Sequence, residues 1–177
     1  VEEIFVLSQC LLGQFEGKFM IIIDSYLSGE LLNKIRNDDL WEDNLPSKWL
    51  DSYSKPVDVY SLLANKIWYE TVNLNTSFAG YEYWTQVVNN RDVPWHQDKD
   101  EHHYGLTREV KTPFTGSIYY AHSHPVEGGF LEIERGNDEL ERIQPVPNRL
   151  VIFDSFSFHR VAPTTKGTRR SLLVNIW

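Results

Sequence analysis

Residues 159–177 read HRVAPTTKGTRRSLLVNIW, and this segment holds the most specific pattern in the sequence. Its second half, 169–177, is rich in Leu, Val and Ile and predicts a long β-strand. On a strand, Arg169 and Ser171 point to the same face, so a guanidinium would lie beside a hydroxyl. Such a pair is suited to binding a carboxylate through charge-assisted hydrogen bonds. His159, ten residues before Arg169, follows another predicted strand and is a candidate metal ligand.

Upstream, the tripeptide His96-Gln97-Asp98 offers two further ligands. Residues i and i+2 of a strand share a face, so an imidazole and a carboxylate would stand side by side. Together with His159 they would supply two histidines and one carboxylate, the ligand set of non-haem Fe(II) oxygenases. Taken alone, His-x-Asp is common and is equally explained by a chance polar pair in a loop. Combined with the downstream histidine, arginine and serine, it is far more specific.

Over most of residues 78–177 the sequence resembles the 2-oxoglutarate/Fe(II)-dependent oxygenases, and among them the prolyl-hydroxylase-like branch. The order and spacing of the matching pieces follow the family pattern. These pieces are His96-x-Asp98, Ile118-Tyr119-Tyr120, Gly128-Gly129-Phe130-Leu131-Glu132-Ile133, Arg149 to Asp154, His159 to Pro163, and Gly167-x-Arg169-x-Ser171. Residues 19–36 match more weakly, and residues 37–77 match no part of the pattern.

The resemblance implies a mainly β (α+β) fold: a double-stranded β-helix, or jelly roll, with supporting N-terminal helices. It also implies Fe(II) held by His96, Asp98 and His159. Because related halogenases lack the carboxylate ligand, the presence of Asp98 favours hydroxylation.

The resemblance further implies that 2-oxoglutarate and dioxygen are co-substrates, with ascorbate as a candidate reductant. Arg169 would bind the C5 carboxylate of 2-oxoglutarate, and the hydroxyls of Ser171 and Tyr120 would add contacts to it. Tyr119 would take the place of Tyr120 if the strand were shifted by one residue.

The pattern along the chain is compatible with this fold. Phe19–Ile23 predicts a strand, Ser28 the N-cap of a helix that ends near Arg36, and Pro56 the start of a second helix. From about residue 78 the helical spacing of apolar residues gives way to alternation and short apolar runs. These predict strands at 81–88, 116–121, 130–133, 149–153 and 169–177. Helices followed by strands predict one α+β domain, with residues 1–77 as a helical or mixed support region and 78–177 as the catalytic core.

Other histidines offer an alternative metal site. His122 and His124 form His-x-His with Glu127 nearby, as in cupins, which share the jelly-roll shape. The turn residues Pro125 and Gly128-Gly129 favour positions on the surface or at the rim of a cleft instead.

A charged segment that contains His102 and His103 predicts a solvated loop. The resemblance places loop 99–115 beside the active site, where it would act as a lid or in substrate recognition. Three aromatic residues are candidates either for stacking on a substrate ring or for the core: Tyr83, Trp84 and Trp95.

The composition of the chain bears on its binding partners, its relation to membranes and its cysteine chemistry. The net charge of −8 disfavours nucleic-acid binding, which needs a basic surface. The longest apolar run, Phe19–Ile23, is too short to span a membrane. The single cysteine, Cys10, excludes an internal disulfide and cysteine-based zinc sites, predicts a buried thiol and fits a reducing, cytoplasmic compartment. The chain begins at Val1, which leaves open a removed targeting segment.

Three functions follow from these patterns. The first is hydroxylation of a prolyl or other amino-acid residue in a peptide or protein. The second is hydroxylation of a small free metabolite or amino acid, which the short chain keeps open. The third is a non-catalytic jelly-roll binding or sensing module, against which the complete triad and carboxylate clamp argue.

Overall fold

The computed structural model describes residues 19–72, 78–136 and 139–177, and Cys10 lies outside these ranges. The helices within them are α1 (Gly29–Ile35), α2 (Val59–Lys66), α3 (Glu101–Thr107), a 3-10 segment (Asp38–Trp41) and a π-helical segment (Ile67–Val72). The strands are β1 (Met20–Ile23), β2 (Lys48–Asp51), β3 (Gly80–Val88), β4 (Val93–His96), β5 (Thr115–Tyr120), β6 (Glu127–Gly128), β7 (Leu131–Gly136), β8 (Glu139–Ile143), β9 (Leu150–Phe153), β10 (His159–Val161), β11 (Thr164–Lys166) and β12 (Arg169–Ile176).

Two antiparallel sheets form the predicted double-stranded β-helix. The larger sheet has the strand order β1-β9-β5-β12-β3-β2, and the smaller has the order β4-β10-β7-β8. Strands β6 and β11 pair separately. Apolar side chains from both sheets meet in one buried cluster between them, which includes Ile118, Val151 and Phe153 from the larger sheet and Leu131 and Ile133 from the smaller. The six strands expected from the sequence all form, five of them within one residue of the expected bounds, whereas β7 ends three residues later than expected.

Strand β12 separates this barrel interior from a second, larger core. Leu172, Val174 and Ile176 pack with the N-terminal helices on one face of the strand. Because side chains alternate along a strand, Arg169, Ser171, Leu173 and Asn175 point to the opposite face, toward the barrel. The same alternation on β3 places Tyr81 and Tyr83 in the larger core.

The N-terminal helices cover the outer face of the larger sheet. Ser28 is the N-cap of α1 as expected, although its side chain makes no capping hydrogen bond. Helix α2 begins after Asp58, whose Oδ1 accepts a hydrogen bond from Ser61 N at 2.7 Å, while Ser61 Oγ accepts one from Asp58 N at 2.9 Å. The prediction that Pro56 starts this helix was wrong by two to three residues, because this reciprocal pair satisfies the free N–H groups of the first turn.

The predicted support region also contributes strands. β1 pairs with β9 at one edge of the larger sheet, and β2 pairs with β3 at the other. Residues before position 78 are therefore part of the main sheet as well as of its helical cover. Among the described residues, no helix has the length and apolar character needed to cross a lipid bilayer.

Candidate active site

Neighbouring strands of the smaller sheet bring two imidazoles together. β4 and β10 run antiparallel, and His96 lies directly opposite His159 in their register. The two ring centroids are 4.3 Å apart. Asp98 lies in an irregular segment after β4, with its Oδ1 3.7 Å from His96 Nε2 and 3.9 Å from His159 Nε2. The three residues of the predicted triad are thus one cluster, although Asp98 reaches it from outside the strand and not by strand alternation.

Backbone carbonyls orient both rings. His96 Nδ1 lies 2.8 Å from Pro94 O, and His159 Nδ1 lies 3.1 Å from Ser157 O. A carbonyl oxygen can only accept, so each Nδ1 carries a proton, and in the neutral tautomer that this selects Nε2 offers its lone pair. Burial lowers the pKa of His159, which favours its neutral, ligand form. Both Nε2 atoms therefore face Asp98 as acceptors for a cation.

Asn175 holds the carboxylate in place. Its Nδ2 donates to Asp98 Oδ2 at 3.1 Å, which leaves Oδ1 toward the imidazoles. Asn175 is 3% exposed and lies on the barrel face of β12. Sequence reasoning missed this residue, although its even spacing from Arg169 along the predicted strand placed it on the same face.

The donor set fits a divalent metal ion. One ligand atom from each of His96, Asp98 and His159 lies within 4.8 Å of the others. Two neutral imidazole nitrogens and one carboxylate oxygen suit Fe(II) and leave part of its coordination sphere open. Within 19–72, 78–136 and 139–177, no other cluster of three such side chains has this geometry. The cupin-like alternative built on His122 and His124 has no support in these ranges.

The sequence predicted that His122 lies on the surface or at a cleft rim, and this prediction was wrong. His122 is 2% exposed, with Nε2 3.2 Å from Pro145 O and Nδ1 3.4 Å from Arg170 O. A neutral imidazole carries one N–H, which one of these backbone carbonyls can accept, and burial lowers the pKa of His122. His124 is exposed, as expected.

Arg169 is a fully buried cation at the other end of the same strand face. Its Nη1 donates to two neutral acceptors, Gln86 Oε1 at 3.0 Å and Ser171 Oγ at 3.0 Å. Its Nε and Nη2 have no hydrogen-bond partner among the described residues. Ser171 therefore contacts the guanidinium, as strand alternation suggested.

Tyr120, not Tyr119, lies beside this guanidinium. The Tyr120 ring centroid is 5.1 Å from Arg169 Cζ, and its buried hydroxyl has no partner among the described residues. Burial raises the pKa of Tyr120, so the phenol remains a proton donor. Tyr119 packs in the larger core and donates to Asn148 Oδ1 at 3.0 Å.

An open cleft of about 570 Å³ lies against His96 and Asp98. One wall is the barrel face of β3, with Glu82, Trp84 and Gln86. Residues 44–47, from the stretch that the family pattern left unmatched, also line the cleft. Hydrogen bonds fasten that stretch to β3: Leu45 N donates to Thr85 Oγ1 at 2.6 Å, and Val87 N donates to Asn44 Oδ1 at 2.7 Å.

The predicted solvated loop after Asp98 is partly helical. Asp100 Oδ1 accepts from His103 N at 2.8 Å and caps α3, so a local carboxylate stabilises a helix within the charged segment. His102 is exposed, and His103 Nε2 lies 3.3 Å from Glu109 Oε2. Lys99 and Glu101 line the cleft at the start of this segment.

The three candidate stacking residues have different environments. Tyr83 is buried in the larger core. Trp84 lines the cleft. Trp95 is 39% exposed, and the Arg160 guanidinium lies 5.0 Å from its ring.

Comparison with known proteins agrees with this geometry. A family model described as the 2OG-Fe(II) oxygenase superfamily matches residues 81–177, more than half of the chain. A PKHD-type hydroxylase from Acidovorax ebreus (strain TPSY) is 29% identical over 65 residues, covering 37% of this chain and 28% of that protein. This chain therefore aligns with little more than a quarter of that relative.

Solved structures share the fold at low identity. A Pseudomonas putida prolyl-4-hydroxylase superimposes with a TM-score of 0.67 at 15% identity, covering 96% of this chain and 97% of that one. A Trichoplax adhaerens prolyl hydroxylase, in complex with a hypoxia inducible factor oxygen degradation domain peptide fragment, gives 0.65 at 12% identity, covering 99% and 90%. The family match covers more than half of the chain, and the fold and the metal-binding cluster agree with it, so the chain belongs to the 2OG-Fe(II) oxygenase superfamily.

Proposed function

We propose that this protein hydroxylates an unactivated C–H bond of a prolyl or other amino-acid residue in a peptide or protein, with Fe(II) at the triad. One observation carries the proposal: a single strand face joins the metal site to an anion site. At one end of this face Asn175 contacts Asp98, and at the other Arg169 is a buried cation without an anion among the described residues. A co-substrate that binds the metal through one end and carries a carboxylate at the other would use both sites.

Iron(II) bound by His96, Asp98 and His159 would supply activation of dioxygen and oxidation of the C–H bond. The protein's part is to hold the ligands. Pro94 and Ser157 carbonyls fix the two ring orientations, and Asn175 fixes the carboxylate. This outer layer of hydrogen bonds keeps the donor atoms facing one point, which raises metal affinity.

The buried guanidinium of Arg169 supports a co-substrate that carries a carboxylate. A buried guanidinium without an anion is unfavourable, because desolvation of the charge is not offset. Its unpartnered Nε–H and Nη2–H lie on one edge of the guanidinium, where two parallel hydrogen bonds can reach one carboxylate. The C5 carboxylate of 2-oxoglutarate would bind there, with the Ser171 and Tyr120 hydroxyls alongside.

The cleft beside the triad supports a substrate longer than a free amino acid. It adjoins a second cavity of about 380 Å³, and the two share Glu82, Lys99 and Glu101 along their common border. The second cavity extends to Trp49 and Trp177. Two adjoining, partly apolar cavities are suited to a peptide segment whose target residue would enter next to His96.

Succinate release tests the enzymatic part of the proposal. Purified protein with Fe(II), ascorbate and 2-oxoglutarate in air should form succinate slowly, and faster with a true substrate. Asp98→Ala should abolish this release, whereas Asp43→Ala, which removes an exposed carboxylate that is not part of the triad, should not. No succinate from the unaltered protein, with no anaerobic Fe(II)/2-oxoglutarate absorption band, would favour the non-catalytic module.

A substrate screen tests the peptide part. Prolyl peptides and free amino acids are compared for faster succinate release and for a product that has gained one oxygen atom by mass spectrometry. Stimulation by peptides is the expected result. Stimulation by free amino acids alone would instead assign the enzyme to small metabolites.

A further inference from the structure

Another buried polar side chain without a hydrogen-bond partner among the described residues lies near Arg169. Thr164 is the first residue of β11 and is 2% exposed. Its Oγ1 has no hydrogen-bond partner among the described residues, as is also true of Tyr120 Oη and of Arg169 Nε and Nη2. Buried polar atoms are nearly always paired, so such a group indicates a missing partner.

Gly129 shows that Thr164 and Arg169 border the same space. A Cβ on Gly129 would lie 3.1 Å from Thr164 Oγ1 and 3.2 Å from Arg169 Cδ. Gly129 has a φ of +64°, and its N–H donates to Pro163 O at 2.9 Å. Because Gly129 has no Cβ, no side chain at this position separates the Thr164 hydroxyl from the Arg169 side chain.

We propose that the Thr164 hydroxyl is an additional binding group for the carboxylate held by Arg169. A carboxylate has about four acceptor positions, and one guanidinium edge fills two of them. Thr164 and Tyr120 supply hydroxyl donors for the remaining positions. The role of Thr164 rests on the proposed function, because the carboxylate is the C5 group of 2-oxoglutarate. It adds a residue that neither strand alternation nor the family pattern marked.

Binding of two 2-oxo acids to the anaerobic Fe(II) protein separates this role from a structural one. 2-Oxoglutarate carries the C5 carboxylate, whereas 2-oxopentanoate has the same carbon chain without it. Titration calorimetry and the Fe(II)/2-oxo acid absorption band report the Kd for each. Thr164→Val keeps the shape and removes the hydroxyl, so it should raise the Kd for 2-oxoglutarate about ten-fold or more. The Kd for 2-oxopentanoate should stay the same.

Two further variants complete the design. Thr164→Ser restores a hydroxyl and should recover most of the 2-oxoglutarate affinity. Thr165→Val alters the exposed neighbour on the same strand and should leave both Kd values unchanged.

The results that overturn the inference are specific. Unchanged 2-oxoglutarate binding by Thr164→Val, or equal weakening of both acids, would remove the assigned role while leaving the proposed function intact. Failure of the unaltered protein to bind 2-oxoglutarate would overturn the proposed function, and the role of Thr164 with it.

Discussion

Replacing Asn175 with Leu should weaken Fe(II) binding without unfolding the protein. The change removes the Nδ2–H that donates to Asp98 Oδ2 at 3.1 Å and keeps a side chain of similar size on the barrel face. Asp98 Oδ2 would then lose its anchor, and the carboxylate could rotate away from the two Nε2 atoms. The expected effect lies in metal affinity, because Asn175 touches a ligand and not the metal position itself.

The magnitude follows from the type of hydrogen bond. A hydrogen bond to a charged group contributes about 1.5–3 kcal/mol, which corresponds to roughly ten-fold to a hundred-fold in affinity. The Asp98 side chain is 13% exposed, so water can reach it and replace part of the lost interaction. A loss of about ten-fold in Fe(II) affinity is therefore expected, at the lower end of effects for groups that support metal ligands.

Anaerobic titration calorimetry with Fe(II) measures the change, and thermal unfolding of the metal-free protein checks the fold. Ser117→Ala is a matched control, since Ser117 Oγ donates to Val174 O at 3.1 Å in the same sheet but does not touch the triad. It should lower stability slightly and leave Fe(II) affinity unchanged. Fe(II) affinity of Asn175→Leu within two-fold of the unaltered protein would refute the reasoning.

Three other changes test separate parts of the structure. Arg169→Met should weaken 2-oxoglutarate about a hundred-fold and leave Fe(II) affinity within a few-fold, as measured by calorimetry; equal losses for both would contradict an anion-binding role. Burial lowers the pKa of His122 from its usual 6.5. Below that pH the unfolded chain therefore binds more protons than the folded protein, and the free energy of unfolding falls as the pH is lowered. Chemical denaturation should show that the free energy of unfolding falls less between about pH 7 and about pH 5 for His122→Gln than for the exposed control His124→Gln. An equal fall for the two variants would contradict the lowered pKa of His122. Gly128→Ala should lower the free energy of unfolding by about 2 kcal/mol or more, because φ is +76° and a Cβ would overlap the Pro163 carbonyl; an unchanged urea midpoint would disprove this.

The strands and the site residues on them could be predicted because their cause is local. Period-two alternation in 169–177 placed Arg169 and Ser171 on one face, and the structure finds their side chains 3.0 Å apart. The short apolar runs that form β1 and β9 were likewise visible. Their pairing with each other joins distant parts of the chain and needed the fold.

What the sequence did not reveal depends on contacts between distant residues. Nothing in the local sequence distinguishes Asn175 from other asparagines, because its partner Asp98 lies 77 positions away in the chain. His122 was expected near the surface because turn residues follow it, whereas the carbonyls that contact it in its buried position belong to other segments. Residues 44–47 carry no metal or catalytic pattern, and their place in the cleft wall follows from hydrogen bonds to β3.

The two faces of β12 have a consequence for how the protein tolerates change. Leu172, Val174 and Ile176 contribute to the packed core under the helices, whereas Arg169, Ser171 and Asn175 on the opposite face contact polar groups of the candidate site. In a saturation library, substitutions at alternate positions should therefore separate into variants of low abundance and variants of normal abundance but no turnover. Natural selection could alter the side chains on the barrel face of this strand while leaving untouched those that maintain the packed core.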